Sequence, residues 1–271
     1  MPAIITVAPT GPIATKKDNP SLATQPEEIA TAVAEAHRAG ATVAHLHFRD
    51  RLDRPTASRD IARTTIGMIR DRCPILVQVS TGVGLDVPFE ERVGLVELRP
   101  EMATLNPCSM SFGAGEFRNP PAGVRDLARR MRELRIRPEL EIYDTGHLEA
   151  CLRLRDEGLL EDPLQFSIVL GVAGGMAATP ANLMLLRERL PAGAIWQVIA
   201  VGRHNLELTA MGLALGGNAR AGLEDTLYLL RKGELAHGST PLVERAARLV
   251  RALGSRPATV AQTRELLALD R

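Results

Sequence analysis

The repeated order of strand and helix constrains this 271-residue chain more than any single residue does. Short apolar runs end in polar or glycine-containing turns, and segments with helical periodicity follow them. Eight runs read as strands: residues 3–8, 41–44 running into His45 and His47, 75–79, 95–98 running on into 102–106, 140–143, 166–170, 195–201, and a weaker one at 219–222. Helices are expected from Pro26 to His37 or Arg38, through Ile61 to Ile69, briefly over 88–92, over 124–134, 148–157 and 180–190, and through Leu213. Pro26 and Pro180 suit a first helical position, and Gly40 suits a helix stop. The segment 109–119 reads as a glycine-containing loop, and two helices, 241–253 and 260–267, close the chain.

Such alternation predicts an α/β fold: one (β/α)₈ TIM barrel over residues 1–271, with an additional C-terminal helix. A doubly wound open sheet is the rival, but it has fewer strands and one phosphate loop at a switch point. Here polar residues punctuate almost every strand end, as in an active-site mouth built from many βα loops. No linker or charge block marks a second domain.

Composition narrows the function classes. Hydrophobic residues at 45% and charged residues at 24% describe a globular chain rather than a disordered or fibrous one. The net charge of +1 gives no general argument for nucleic acid or an acidic surface. The three cysteines, Cys73, Cys108 and Cys151, are too scattered for a disulfide framework or a clustered metal site. No uninterrupted apolar run is long enough to span a bilayer, and the start of the chain does not fit a secretory signal. A cytoplasmic enzyme or binding protein is expected.

The chemistry concentrates at strand ends. Alternation puts His45 and His47 on one face of the second strand and Leu46 and Phe48 on the other. Two converging imidazoles can hold a divalent metal when an acid from another strand joins them; histidine pairs also stack, accept backbone donors or bind phosphate. Glu224 and Asp225 are the best acidic partners, because the eighth strand of a barrel lies beside the first. One acid can ligate while the other serves as base, although acids also cap helices in such places. Arg220, among small neighbours, reads as a paired interior charge that holds a substrate carboxylate or orients Asp225. Ser80 and the Thr104–Asn106 turn offer neutral hydrogen-bonding groups. Glu141, Asp144 and His147 occupy the fifth βα segment, with His147 expected outside the ligand set. Gly174, Gly175 and Arg203 lie where loop amides and a cation can meet phosphates, a weak signal that matches no nucleotide fingerprint.

Taken together, the segments Ala8-Pro9-Thr10-Gly11, His45-Leu46-His47-Phe48-Arg49-Asp50, Gln78-Val79-Ser80-Thr81-Gly82, Met102-Ala103-Thr104-Leu105-Asn106, Asp144-Thr145-Gly146-His147, Gly174-Gly175-Met176, Val201-Gly202-Arg203-His204 and Gly222-Leu223-Glu224-Asp225 resemble the β-keto acid cleavage enzymes. The matches run through nearly the whole chain, and His-x-His-x-Arg followed by Arg-x-Gly-Leu-Glu-Asp is the most specific of them. The resemblance implies a zinc-dependent TIM-barrel enzyme, usually a homotetramer, that converts a β-keto acid and acetyl-CoA into acetoacetate and a new acyl-CoA. It implies His45, His47 and Glu224 as metal ligands, Asp225 as general base and Arg220 as its supporting cation. Ser80 and Thr104 match substrate-binding positions, with Asn106 and Glu141 as further site residues, and Gly174, Gly175 and Arg203 fall to the CoA cosubstrate. One position departs from the pattern. After Pro9-Thr10-Gly11 the family member that cleaves an aminohexanoate substrate carries an acid for the ammonium group; this chain has Pro12-Ile13. Ile13 cannot pair with a cation, so the expected substrate is a neutral or apolar β-keto acid, or one whose charge is met elsewhere.

Two other functions compete. A metal-dependent hydrolase on a barrel also uses a His-x-His pair, but commonly on the first strand and with further ligands. A non-enzymatic carboxylate- or phosphate-binding protein needs no metal at all.

Overall fold

A computed structural model describes residues 2–230 and 233–269; the expected domain also takes in Met1, Arg231, Lys232, Asp270 and Arg271, which lie outside the described residues. In chain order the strands are β1 (Ile5–Val7), β2 (Val43–Leu46), β3 (Leu76–Val79), β4 (Met102–Leu105), β5 (Met110–Phe112), β6 (Gly115–Phe117), β7 (Arg137–Ile142), β8 (Gln165–Leu170), β9 (Ile195–Ala200) and β10 (Asn218–Ala221). Helices are α1 (Pro26–Ala39), α2 (Arg59–Arg72), α3 (Phe89–Val93), α4 (Pro121–Glu133), α5 (Thr145–Asp156), α6 (Pro180–Arg189), α7 (Asn205–Ala214), α8 (Thr240–Ala252) and α9 (Val260–Leu266).

Eight parallel strands close into a barrel in the order β1-β10-β9-β8-β7-β4-β3-β2, while β5 and β6 form a separate antiparallel hairpin. This is the expected TIM barrel. β1 lies between β10 and β2, pairing Thr6 with Arg220 on one side and with Val43 on the other. The two strands that carry the candidate ligands therefore flank the same short strand.

Local chemistry explains the element ends. Gln25 and Glu28 make a reciprocal cap on α1, Pro26 fills the first turn, and Gly40 ends the helix in the left-handed region at φ 118°. Side chains of Ser58, Asp144 and Thr179 accept amide hydrogens at the starts of α2, α5 and α6. The outward strand faces pack Val7, Leu46, Phe48, Val77 and Leu105 against the helix layer. Inside the barrel the lower layer is apolar: Ile4, Val43, Leu76 and Met102 gather around Ala258 and Leu267. The additional C-terminal helix α9 thus plugs the end of the barrel opposite the mouth.

The structure differs from the expectation in three places. Residues 95–98 are not strand; Gly94–Leu98 is a 3₁₀ helix that buries Leu95 and Val96, and only Met102–Leu105 enters the sheet. An apolar run this short has no period to separate a strand from a buried helical turn. Segment 109–119 contains the β5–β6 hairpin rather than a plain loop, paired from Met110↔Phe117 to Phe112↔Gly115. The fifth barrel strand starts at Arg137, three residues before the expected start at 140, which brings Glu139 into the barrel. Among the described residues no helix is long and apolar enough to cross a membrane.

Candidate active site and metal centre

At the mouth, β2 projects His45 and His47 inward, with ring centroids 5.3 Å apart. Glu224, just past β10, meets both: its Oε1 lies 3.5 Å from His45 Nε2 and 3.5 Å from His47 Nε2. Ligand atoms of the three residues lie within 4.8 Å of one another. His45 Nδ1 is 2.8 Å from Gln78 Oε1, its direct cross-strand neighbour on β3. A carbonyl oxygen only accepts, so Nδ1 carries a proton and Nε2 is the nitrogen turned toward Glu224 and the mouth. Among the described residues, His45 Nε2 and Glu224 Oε2 are buried without a hydrogen-bond partner. Buried polar atoms seldom stay unpaired without reason, and this donor set, two imidazoles and a carboxylate, fits a divalent metal. A second set, His45 with Glu139 and Glu141, is close enough by distance. It fits less well, because it has only one imidazole and lies on the side where Nδ1 already donates to Gln78.

Glu224 is held in place from behind. A Cβ on Gly11 would come 2.5 Å from Glu224 Cγ, so the loop after β1 needs glycine there to admit the carboxylate stem. Arg49, next but one after His47 and buried, clamps the same loop: its Nη2 donates to the carbonyls of Gly11 at 2.5 Å and Ala14 at 2.6 Å, and Nη1 donates to Asp53 O at 3.2 Å. The Arg of the His-x-His-x-Arg pattern is thus a backbone clamp. Charged hydrogen bonds are worth about 1.5–3 kcal/mol each and are only partly replaced by water, so Arg49→Met is expected to cost roughly 2–4 kcal/mol of stability. Denaturant midpoints at an unchanged m-value measure it; a shift below about 0.5 kcal/mol, the size of a surface substitution, would count against the clamp.

Arg220, buried, reaches from β10 into the same space. Its Nε donates to Asp225 Oδ2 at 3.0 Å, and Nη2 donates to Asp225 Oδ1 at 2.9 Å and to Glu224 Oε1 at 2.6 Å. This two-point grip fixes the plane of the Asp225 carboxylate. Burial lifts the Asp225 carboxyl above the usual aspartate range; Arg220 pulls it back without cancelling the rise, and Glu224 adds to it. Glu224 goes the other way: burial would raise it, but Arg220, His45 and His47 hold it well below the usual carboxylate range. Adjacent acids therefore differ in character, one a strong anion suited to ligation and the other a better base than a free aspartate. Glu141 Oε1 lies 3.7 Å from Arg220 Nη1, and Tyr143 Oη donates to its Oε2 at 3.4 Å. Burial and the nearby Glu139 push Glu141 up to about 7, against the pull of His45 and Arg220.

The mouth opens into a cavity of about 1590 Å³, lined by Ile13, His47, Ser80, Glu141, Arg203, Arg220, Glu224 and Asp225 among others. Most of the expected residues thus meet in one place. Ser80 faces the cavity, and its Oγ accepts from Gly82 N at 3.1 Å. Thr104 does not line it; its hydroxyl accepts from Thr81 N at 2.8 Å and fixes the Ser80–Gly82 turn. Asn106 is buried nearby with both amide atoms unpartnered among the described residues. Ile13 is 66% exposed at the rim. Gly174 and Gly175 are not cavity-lining: a Cβ on Gly174 would come 1.9 Å from Ser111 O, so this glycine seats the β5–β6 hairpin. Arg203 does line the rim, with Nε donating to His204 Nε2 at 3.0 Å. His147 belongs to α5, where its amide hydrogen goes to Asp144 Oδ1, and it joins neither candidate ligand set.

Sequence reasoning missed the layer beneath. Glu139, fully buried, accepts from Ser167 Oγ at 2.5 Å and from Gln197 Nε2 at 3.0 Å, and its other oxygen lies 3.6 Å from His45 Nδ1. The available signal was period two: Glu139 and Glu141 share a face once the strand begins at Arg137.

A closed α/β barrel whose mouth joins a His-His-Glu set able to hold a divalent metal to an arginine-gripped aspartate has the form of a TIM-barrel active site. Family comparison makes it more specific. Residues 2–269 match the family described as beta-keto acid cleavage enzyme, and the chain belongs to that family. It is therefore an enzyme of acyl-CoA-forming, acyltransferase type. It is 37% identical over 270 residues to the 3-keto-5-aminohexanoate cleavage enzyme of Fusobacterium nucleatum, covering 99% of this chain and 98% of that one. It is 35% identical over 272 residues to the 3-oxoadipate:acetyl-CoA acetyltransferase of Cupriavidus necator, covering 99% and 95%. Against the 3-dehydrocarnitine:acetyl-CoA trimethylamine transferase of Rhizobium meliloti it is 32% identical over 291 residues, covering 98% and 96%. In fold it is similar to apo ObcA, with a TM-score of 0.80 at 22% identity over 92% of this chain and 66% of that one.

Proposed function

We propose that the protein is a zinc-dependent enzyme that converts a β-keto acid and acetyl-CoA into acetoacetate and a new acyl-CoA. The observation that carries this reading is the pairing, on one cavity floor, of unpartnered His45 Nε2 and Glu224 Oε2 with an Asp225 held by Arg220. His45, His47 and Glu224 would hold the zinc, which when bound would supply Lewis-acid polarisation of a keto oxygen. Asp225 takes a proton from the carbon between ketone and carboxylate, and Arg220 keeps its oxygens aimed at that carbon. The carbanion attacks the acetyl thioester carbon and releases CoA thiolate. The thiolate then attacks the keto carbon, the bond from that carbon to the central carbon breaks, and Asp225 returns its proton to the acetoacetate so formed. Ser80 and Asn106 offer donors to the oxyanions; Thr104 supports them by holding the Ser80–Gly82 turn.

The names of the relatives support acetyl-CoA as the shared partner, since two of them state it while differing in the rest of the substrate. Arg203 at the rim is the cation available to the CoA phosphates, and the loop contacts fall to Gly171–Ala173 rather than to Gly174 and Gly175. A homotetramer belongs to the same family reading, while a cytoplasmic location rests on the composition of the chain.

Ile13 at the rim selects a substrate without an ammonium group. Incubating the zinc-loaded enzyme with acetyl-CoA and a panel of β-keto acids is expected to yield acetoacetate, with kcat/KM for uncharged short-chain substrates above that for 3-keto-5-aminohexanoate. Ile13→Glu is expected to move this ratio toward the amino substrate by about tenfold or more, the effect of ~1.4 kcal/mol. No acetoacetate from any panel member defeats the function; a wild-type preference for the amino substrate defeats the role of Ile13.

A further inference from the structure

We propose that Glu139 is a positioning residue for the metal centre: a buried anion behind His45 that strengthens its hold on the metal and balances the charge of the loaded site. This inference rests on the metal reading above and concerns a residue that does not face the cavity.

Glu139 sits on β7, three strands along the barrel from β2, and reaches His45 across the bore. Its Oε1 accepts from Ser167 Oγ at 2.5 Å and from Gln197 Nε2 at 3.0 Å. Ser167 and Gln197 are direct cross-strand partners on β8 and β9, and Gln197 also donates to Ser167 Oγ at 3.0 Å. Two donors converging on one oxygen suit an ionised carboxylate, which accepts only. The other oxygen, Oε2, is buried without a hydrogen-bond partner among the described residues and lies 3.6 Å from His45 Nδ1. That is too long for a hydrogen bond, which Nδ1 already makes with Gln78 at 2.8 Å. It is short enough for a strong electrostatic effect in a dry interior.

Three rigid strands thus hold an anion on the side of the imidazole opposite its metal-facing nitrogen. A negative charge there stabilises the polarised, metal-bound imidazole, the effect that carboxylates behind ligating histidines exert. Charge balance points the same way. A divalent cation and Arg220 bring three positive charges to a buried floor, and Glu139 stands with Glu224 and Asp225 among the carboxylates gathered around them. Without Glu139 the floor has one anion fewer to face the cation, which weakens its retention.

The test is Glu139→Gln, which keeps the shape and removes the charge. Zinc affinity is measured by competition with a chelator of known affinity, and the site environment by the visible spectrum of the cobalt-substituted protein. Melting of the metal-free protein serves as the control for folding. Affinity is expected to fall about 10–100-fold while the metal-free protein keeps its fold. At saturating zinc, stoichiometry returns to one, and the cobalt bands shift because a ligand has changed its donor strength. Equal affinity and an unchanged cobalt spectrum overturn the inference. Should Glu139→Gln not fold, Ser167→Ala and Gln197→Leu carry the test, since each removes one anchor of the carboxylate and is expected to weaken zinc in the same direction. Unchanged affinity in both overturns it. If the wild type takes up no stoichiometric zinc, the metal reading itself fails, a result distinct from normal uptake by all three variants.

Discussion

His47→Ala is expected to lower kcat by about 10³-fold and to abolish stoichiometric zinc uptake at micromolar metal. A bound Lewis acid is worth several kcal/mol of transition-state stabilisation, and each ~1.36 kcal/mol is about tenfold in rate. Two ligands remain after the substitution, and His45 and Glu224 alone leave the three-ligand set incomplete. Folding is expected to survive, because His47 lies just past the end of β2 and its ring nitrogens make no hydrogen bond among the described residues other than the ionic approach to Glu224 at 3.5 Å. Metal analysis and steady-state kinetics on zinc-loaded and chelator-treated samples check it. Activity within tenfold of wild type, in both variant and chelated enzyme, would remove zinc from the mechanism; no activity in any sample, with carboxylate binding unchanged by either treatment, would favour a metal-free binding protein.

Asp225→Asn has the second large effect and a different signature. An amide cannot take up the proton, so kcat is expected to fall by about 10²–10⁴-fold while zinc binding persists. Stability should fall too. The asparagine NH₂ faces the Arg220 guanidinium, which in the wild type donates two bonds to Asp225, at 3.0 and 2.9 Å. Breaking a buried pair costs roughly 3–5 kcal/mol, and the bond from Arg220 to Glu224 keeps the loss toward the lower end. Rate, zinc stoichiometry and denaturant midpoint therefore separate the two residues: His47→Ala loses metal and rate, whereas Asp225→Asn loses rate and stability but keeps metal. A variant that keeps its rate would reassign the base, with Glu141, poised near neutrality, next in place.

Much of the site was legible because strand alternation and strand ends are simple signals. His45 and His47 are two residues apart at the end of an apolar run, and Glu224 follows a strand that barrel closure sets near them. Arg220 stood out as a charge among small residues. Glu139 was missed because the start of its strand, Arg137-Pro138, carries no β-type pattern, and a strand begun at Leu140 leaves the acid outside. Thr104 reads as a substrate contact from the family pattern, and Gly174 as a cosubstrate contact from its place in a glycine-rich strand end. Their contacts are with Thr81 and with the Ser111 carbonyl, and such neighbours from distant segments leave no mark in a linear pattern. The hairpin was hidden by its two glycines, Gly113 and Gly115, which read as loop.

The position of β1 bears on assembly of the molecule. This strand is three residues long, and it alone separates the strand bearing His45 from the strand leading to Glu224. Neighbouring strands lie about 4.8 Å apart, so the two ligand-bearing strands come within reach of one ion only when both have docked on β1. That docking is the ring-closing event of the barrel, joining the first and last strands of the chain. An ion held by His45, His47 and Glu224 is therefore a latch across the seam: it can bind only the closed ring, and by mass action it opposes reopening there. Amide exchange along β1 and β10 would register the latch as slower opening at that seam, with the far wall of the barrel little changed.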